Sequence, residues 1–157
     1  MRVVHYLNQF FGGLGGEEAA GSEAQVKEGA VGPGRLLDQV LGPEAQVVRT
    51  IIAGDNYAAE NLVALRELAV REAKESGAEL FVAGPCFEAG RYGLAAGALC
   101  AAVQEQLGIP AVTGMALENP GVDLYRQELY IVDSGESVNA MREVMTRMAA
   151  IAGKLMR

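Results

Sequence analysis

The chain has no tryptophan, a single histidine (His5), two cysteines and five prolines, and only 13 of its 157 residues are Lys or Arg. Each scarcity excludes something. Set against 20 Asp and Glu, the basic residues leave a formal net charge of −7. No Lys/Arg cluster supplies the basic face that phosphate contacts require, so nucleic acid is not an expected partner. Cys86 and Cys100 have neither Cys-x-x-Cys spacing nor a histidine nearby, which argues against a disulfide scaffold or a zinc site, and no metal is expected. One histidine, placed inside an apolar run, reads as an interior side chain rather than the base of a Ser-His-Asp triad. No apolar run approaches the about 18 residues that span a bilayer, so no membrane partner is expected. The opening Met1-Arg2-Val3-Val4-His5-Tyr6-Leu7 is too short and too mixed for a signal peptide. The cytoplasm is the expected compartment.

What the chain does have is apolar content and glycine. Half of it is hydrophobic, 21% is charged, and there are 20 glycines. That composition and length suit one α/β domain over residues 1–157 with a core of its own. Short β-branched or aromatic runs at Val3–Leu7, Ala45–Ala53, Glu79–Ala83, Pro110–Thr113 and Glu128–Val132 read as buried parallel strands. Helical spacing predicts helices over Arg35–Leu41, Ala58–Ser76, Tyr92–Leu107 and Ser137–Leu155, with Gly77 and Gly108 as stops and Ser134 or Ser137 as a cap for the last. Strand–helix alternation implies right-handed crossovers and a three-layer, flavodoxin-like doubly wound parallel sheet of about five strands. The exception is Asn8–Pro33, which is glycine-rich and aperiodic and reads as a long functional loop with one helical turn.

The unusual residues fall on one edge. Ligands of parallel sheets bind beyond the C-terminal strand ends. The loops leaving those ends carry Asn8, Gln9, Phe10, Phe11, Gly12, Gly13, Gly15, Gly16 and Glu17; then Asp55, Asn56 and Tyr57; then Cys86 through Gly93; then Glu118 and Asn119. The opposite edge has short connections at Gly77 and Gly108. The first loop matches neither Gly-x-Gly-x-x-Gly nor a Walker A loop, and Glu17 and Glu18 would repel phosphate, so dinucleotide and ATP are disfavoured. Arg91, with Gly90 and Tyr92 at a helix start, is a candidate carboxylate site; the alternative is a loop brace paired to Glu88 or Asp55. Asp55, Asn56 and Glu60 can meet an amine, or Asp55 can cap its helix. Cys86, near a helix start, is a candidate nucleophile against the simpler reading of a small semi-buried residue. Cys100 reads as core, and Met141, Met145 and Met148 as core or interface.

Five ordered blocks resemble a known family. Val3 through Glu18, Val31-Gly32-Pro33-Gly34, Gly54-Asp55-Asn56-Tyr57, Ala83-Gly84-Pro85 with Ala89-Gly90-Arg91-Tyr92-Gly93, and Thr113-Gly114-Met115 with Glu118-Asn119-Pro120-Gly121-Val122-Asp123 are similar to the opening part of the component B selenoprotein subunit of glycine/sarcosine/betaine reductases. The resemblance implies a substrate-binding subunit or domain of a multisubunit oxidoreductase that reductively cleaves the C–N bond of glycine or an N-methylated glycine in anaerobic amino-acid catabolism. It implies partners: a pyruvoyl-containing component B subunit, a selenoprotein A and a component C, in an oligomer. Family members run more than twice this length and carry a selenocysteine motif in their later part. The chain is therefore expected to be truncated, split or a shortened paralogue, with no cofactor of its own. The pyruvoyl group and selenocysteine belong on partner chains or the missing portion, and the chain is not expected to be active alone.

On this reading the substrate carboxylate lies near Arg91 and the amides of Gly90–Gly93, and Asp55, Glu60 or Glu118 faces the amine. Phe10, Phe11 and Tyr57 exclude water, which strengthens each polar contact. Two other classes remain. The glycine-rich first loop can serve a non-catalytic module that docks a partner chain, or the fold can hold a stand-alone flavodoxin-like small-ligand protein.

Overall fold

The computed structural model describes residues 1–156. A single sheet of six strands runs β2-β3-β1-β4-β5-β6, with β1 at Arg2–Asn8, β2 at Gln25–Glu28, β3 at Gln46–Ala53, β4 at Leu80–Ala83, β5 at Ala111–Met115 and β6 at Tyr130–Asp133. The strands pair parallel except β2, which lies antiparallel on the outer side of β3 with Val26 opposite Ile51. The five parallel strands follow the flavodoxin-like doubly wound order expected from the alternation.

Helices cover both faces. These are α1 (Gly34–Leu41), α2 (Asp55–Glu60), α3 (Leu62–Glu75), α4 (Gly90–Leu107), α5 (Pro120–Tyr125) and α6 (Met141–Leu155). Alternation along β1 divides the core. Val4 and Tyr6 pack with Leu65, Ala69, Tyr92, Ala96 and Leu99 under α3 and α4, while Val3 packs with Leu37, Val144, Met145 and Met148 under α1 and α6. Each such large apolar side chain contributes about 1.5–3 kcal/mol on burial. Small residues let α4 lie close to its neighbours: a Cβ on Gly97 would stand 2.2 Å from Cδ2 of Tyr125.

The structure corrects several boundaries. The helix expected over Ala58–Ser76 is two, broken at Asn61 (φ −130°, ψ 38°). The expected loop Asn8–Pro33 has its one helical turn at Glu17–Ala19, but it also contains the edge strand β2. All four residues of β2 are exposed, so it carries no burial pattern by which to recognise it. The short α5 was also unmarked; Asn119 caps it by accepting from the Gly121 amide at 3.0 Å. Ser137 caps the 3-10 turn Val138–Ala140 that leads into α6 rather than α6 itself. Gly77 and Gly108 do end their helices, both at φ +68°.

Candidate functional site

The chain leaves β1 toward the β3 side of the sheet and leaves β4 toward the β5 side, so a crevice opens between the C-terminal ends of these adjacent strands. Into it the fold brings Asn8 from the end of β1, Gln9, Phe10, Phe11, Gly16 and Glu17 from the loop that follows, and Asp55 from the start of α2. Residues 86–89 and Arg91 come from the β4–α4 connection, and Glu136 and Val138 from the approach to α6. They line a cleft of about 370 Å³.

Asn8, the last residue of β1, organises the floor. Its Oδ1 accepts from the Phe11 amide at 3.0 Å and its Nδ2 donates to Oδ2 of Asp55 at 3.1 Å. Gln9 Oε1 accepts from the Asp55 amide at 2.9 Å. The loop is stitched to α2 by backbone as well: the Asn56 and Tyr57 amides both donate to the Ala20 carbonyl, at 2.8 and 3.1 Å. Gly54 is required there, because a Cβ would lie 2.2 Å from that same oxygen. Asp55 is buried, and its Oδ1 has no partner. Burial pushes its carboxyl above the usual range, opposed by the Asn8 hydrogen bond and the Arg91 charge. Asp55 therefore does not cap α2; it forms part of the cleft floor.

Arg91 lies in the first turn of α4. Its Nη2 donates to both Oε1 and Oε2 of Glu17 at 2.9 Å, and Nη1 donates to Asn56 Oδ1. Its ion-pair partner is thus Glu17, not Glu88 or Asp55. The hydrogen bond to Glu17 raises the guanidinium pKa further. Phe11 joins an aromatic cluster, 5.1 Å from Phe10, 6.1 Å from Phe87 and 6.2 Å from Tyr92 between centroids, in which Phe87 and Tyr92 are buried and Phe10 is exposed. Phe87 holds φ +53°, unusual for a non-glycine residue. Its carbonyl is fixed by the Ala116 amide at 2.8 Å and Asn119 Nδ2 at 3.0 Å.

Other sequence-marked residues fall elsewhere. Glu60, Glu118, Asn119 and Tyr57 do not line this cleft. Glu60 and Glu118 are exposed, and Tyr57 packs against the α3/α4 core. Asn119 is buried with its amide donating to the Phe87 and Ala89 carbonyls, so it shapes the loop instead of facing a ligand. Tyr92 is buried beneath the site. Gly12 packs where a Cβ would meet Ile52 Cγ2 at 2.4 Å, and Gly13 and Gly15 adopt φ +81° and +144°. Glu136 and Val138 were missed; the polar run Asp133-Ser134-Gly135-Glu136-Ser137 after the last strand was their only signal. A larger cleft of about 590 Å³ lies against β6 and α5. Its charged groups, Arg126, Glu128 and Asp133, are all exposed, whereas the crevice between β1 and β4 has a buried carboxylate.

Both cysteines are free thiols. Cys86 and Cys100 are both buried, and burial pushes both thiols well up, Cys100 adding to the effect on Cys86. A reactive thiolate is favoured by exposure and a lowered pKa, and burial gives both thiols the opposite environment, although Cys86 lines the cleft. The described residues contain no group of three or more His, Cys, Asp or Glu placed to hold a metal. No helix among them is long and apolar enough to cross a membrane.

Fold and site together define a doubly wound α/β protein with a polar cleft, lined in part by Phe10, Phe11 and Phe87, at its topological switch point. Comparison with known proteins narrows this. Residues 1–157 match the family described as glycine/sarcosine/betaine reductase selenoprotein B, and the chain belongs to that family. It is similar to the sarcosine reductase complex component B subunit beta of Peptoclostridium acidaminophilum, 49% identical over 98% of this chain and 35% of that protein. It is likewise 50% identical to the glycine reductase complex component B subunit gamma of Carboxydothermus hydrogenoformans, over 99% of this chain and 36% of the relative. To the betaine reductase complex component B subunit beta of P. acidaminophilum it is 40% identical, over 98% and 35%. The chain thus spans about a third of the length of the curated relatives it matches. No solved structure matches it.

Proposed function

We propose that this chain is the substrate-binding part of a glycine/sarcosine/betaine reductase-type complex, holding a small amino acid in the cleft between β1 and β4. The observation that carries the reading is the convergence there of a guanidinium, a buried carboxylate with an unpartnered oxygen and the phenyl rings of Phe10 and Phe11. The substrate carboxylate meets the planar fork of Arg91 at the start of α4, where the helix dipole adds positive potential. The amine faces Asp55, and Phe10 and Phe11 exclude water. Reductive C–N cleavage then depends on the pyruvoyl group and selenocysteine, supplied by partner chains or by the longer family architecture, in the cytoplasm. The names of the relatives support the complex and its substrate class.

The test is glycine calorimetry on the assembled component B with Arg91→Ala and Arg91→Lys. A charge-assisted hydrogen bond is worth about 1.5–3 kcal/mol. The half-exposed guanidinium lowers that through solvent screening, so Arg91→Ala should weaken glycine about tenfold. Arg91→Lys should recover part of the loss, and melting temperatures should hardly move. Unchanged affinity with a sharply lower melting temperature would make Arg91 a loop brace only. A second reading, a partner-docking module, draws support from Phe10 and Val138, 60% and 51% exposed at the cleft rim. Retained partner binding with no glycine binding by the complex would favour it.

A further inference from the structure

One arm of the Arg91 guanidinium, Nη2, is already held by a carboxylate of the same chain, while Nη1 donates to Asn56. Both oxygens of Glu17 accept from Nη2 at 2.9 Å, although the two side chains are 72% and 41% exposed. Glu17 stands at the start of a single 3-10 turn reached through Gly12-Gly13-Leu14-Gly15-Gly16, in which Gly13 and Gly15 take positive φ. The other acidic group of the floor is held differently: Asp55 is buried and bound by Asn8 and Gln9. One carboxylate is thus fixed, and the other is exposed and placed on the group that suits a ligand carboxylate.

Charge decides what can take its place. The lining carries Glu17, Asp55, Glu88 and Glu136 against the single guanidinium of Arg91. A simple carboxylic anion displacing Glu17 adds a further negative charge to an acidic cleft. A zwitterion adds none, and its ammonium can face the unpartnered Oδ1 of Asp55. We propose that Glu17 is a resident stand-in for the ligand carboxylate, displaced from Arg91 on binding, and that this exchange admits zwitterionic amino acids in preference to simple carboxylates. The proposal rests on Arg91 being the carboxylate anchor.

The experiment compares wild type, Glu17→Gln and Arg91→Ala in the assembled complex by calorimetry with glycine and with acetate. Hydrogen exchange of the Ala19 and Ala20 amides is followed alongside; these donate to Gly16 and Glu17 within the turn. An exposed ion pair is a weak competitor, so Glu17→Gln should bind glycine about two- to fivefold more tightly. Wild type should bind acetate more weakly than glycine, and saturating glycine should speed exchange at Ala19 and Ala20. Unchanged or weaker glycine binding by Glu17→Gln would overturn the exchange, as would equal wild-type affinity for acetate and glycine or unaltered exchange in the turn. If Arg91→Ala still weakens glycine, those failures leave the anchor reading standing. No loss in Arg91→Ala, or no glycine binding by any form, would overturn both.

Discussion

His5 should make this protein acid-labile in a defined window. It sits in β1, fully buried, with Nε2 hydrogen-bonded to the Gly84 carbonyl at 2.7 Å and Nδ1 without a partner. Desolvation lowers its pKa from 6.5 to about 4, partly offset by the Gly84 bond. Between those values the unfolded chain binds a proton that the native chain refuses. Stability contributed by neutral His5 is therefore complete above pH 6.5 and lost as pH falls toward about 4. The slope is about 1.4 kcal/mol per pH unit, so about 3 kcal/mol is lost across the window, a large share of a typical ~5–15 kcal/mol. Asp55 acts in the opposite sense, since its raised carboxyl pKa favours the native state as pH falls. A comparison with His5→Gln cancels that contribution, because glutamine keeps a donor for Gly84 but does not titrate. Urea unfolding of both proteins from about pH 7 to about pH 4 should show a difference in stability that shrinks, or changes sign, by about 3 kcal/mol. A difference independent of pH would refute the reasoning.

Two structural predictions accompany those for Arg91 and Glu17. Gly97→Ala drives a methyl into the Tyr125 ring, 2.2 Å from Cδ2 and 2.6 Å from Cε2. Overpacking should cost about 1–3 kcal/mol despite the better helix propensity of alanine, lowering the melting temperature by several degrees; an unchanged or raised melt would show that α5 simply yields. Cys86 and Cys100 should resist an aromatic disulfide reagent in the native chain and react once it is denatured, and rapid native labelling of Cys86 would restore it as a candidate nucleophile.

Much of the architecture was legible because it depends on local periodicity. Buried parallel strands read as apolar runs wherever they occur, and the glycine stops at Gly77 and Gly108 declare themselves through the left-handed conformation they adopt. The crowding of polar and glycine-rich segments after successive strands, together with the direction of a parallel sheet, was enough to expect that residues of the first loop, Asp55 and Arg91 lie on one edge of the fold, where they line one cleft. Strand β2 escaped because its four residues are exposed, and an edge strand without a buried face leaves no alternation to read. The break at Asn61 escaped because the residues on either side keep helical spacing.

Which of the marked residues meet was a matter for tertiary structure. From sequence alone Arg91 had Glu88 and Asp55 as its nearby acidic partners; the fold gives it Glu17, 74 positions away, because the loop after β1 is stitched back onto α2 through the Ala20 carbonyl. Asn119 was indistinguishable from a ligand-facing amide until its donors were found spent on Phe87 and Ala89. Cys86 and a surface thiol look alike in a chain, and only packing shows that this one is buried. Residue types and their spacing determine secondary structure through short-range sterics and burial patterns. The pairing of distant side chains and the desolvation of each depend on long-range packing, which no local pattern encodes.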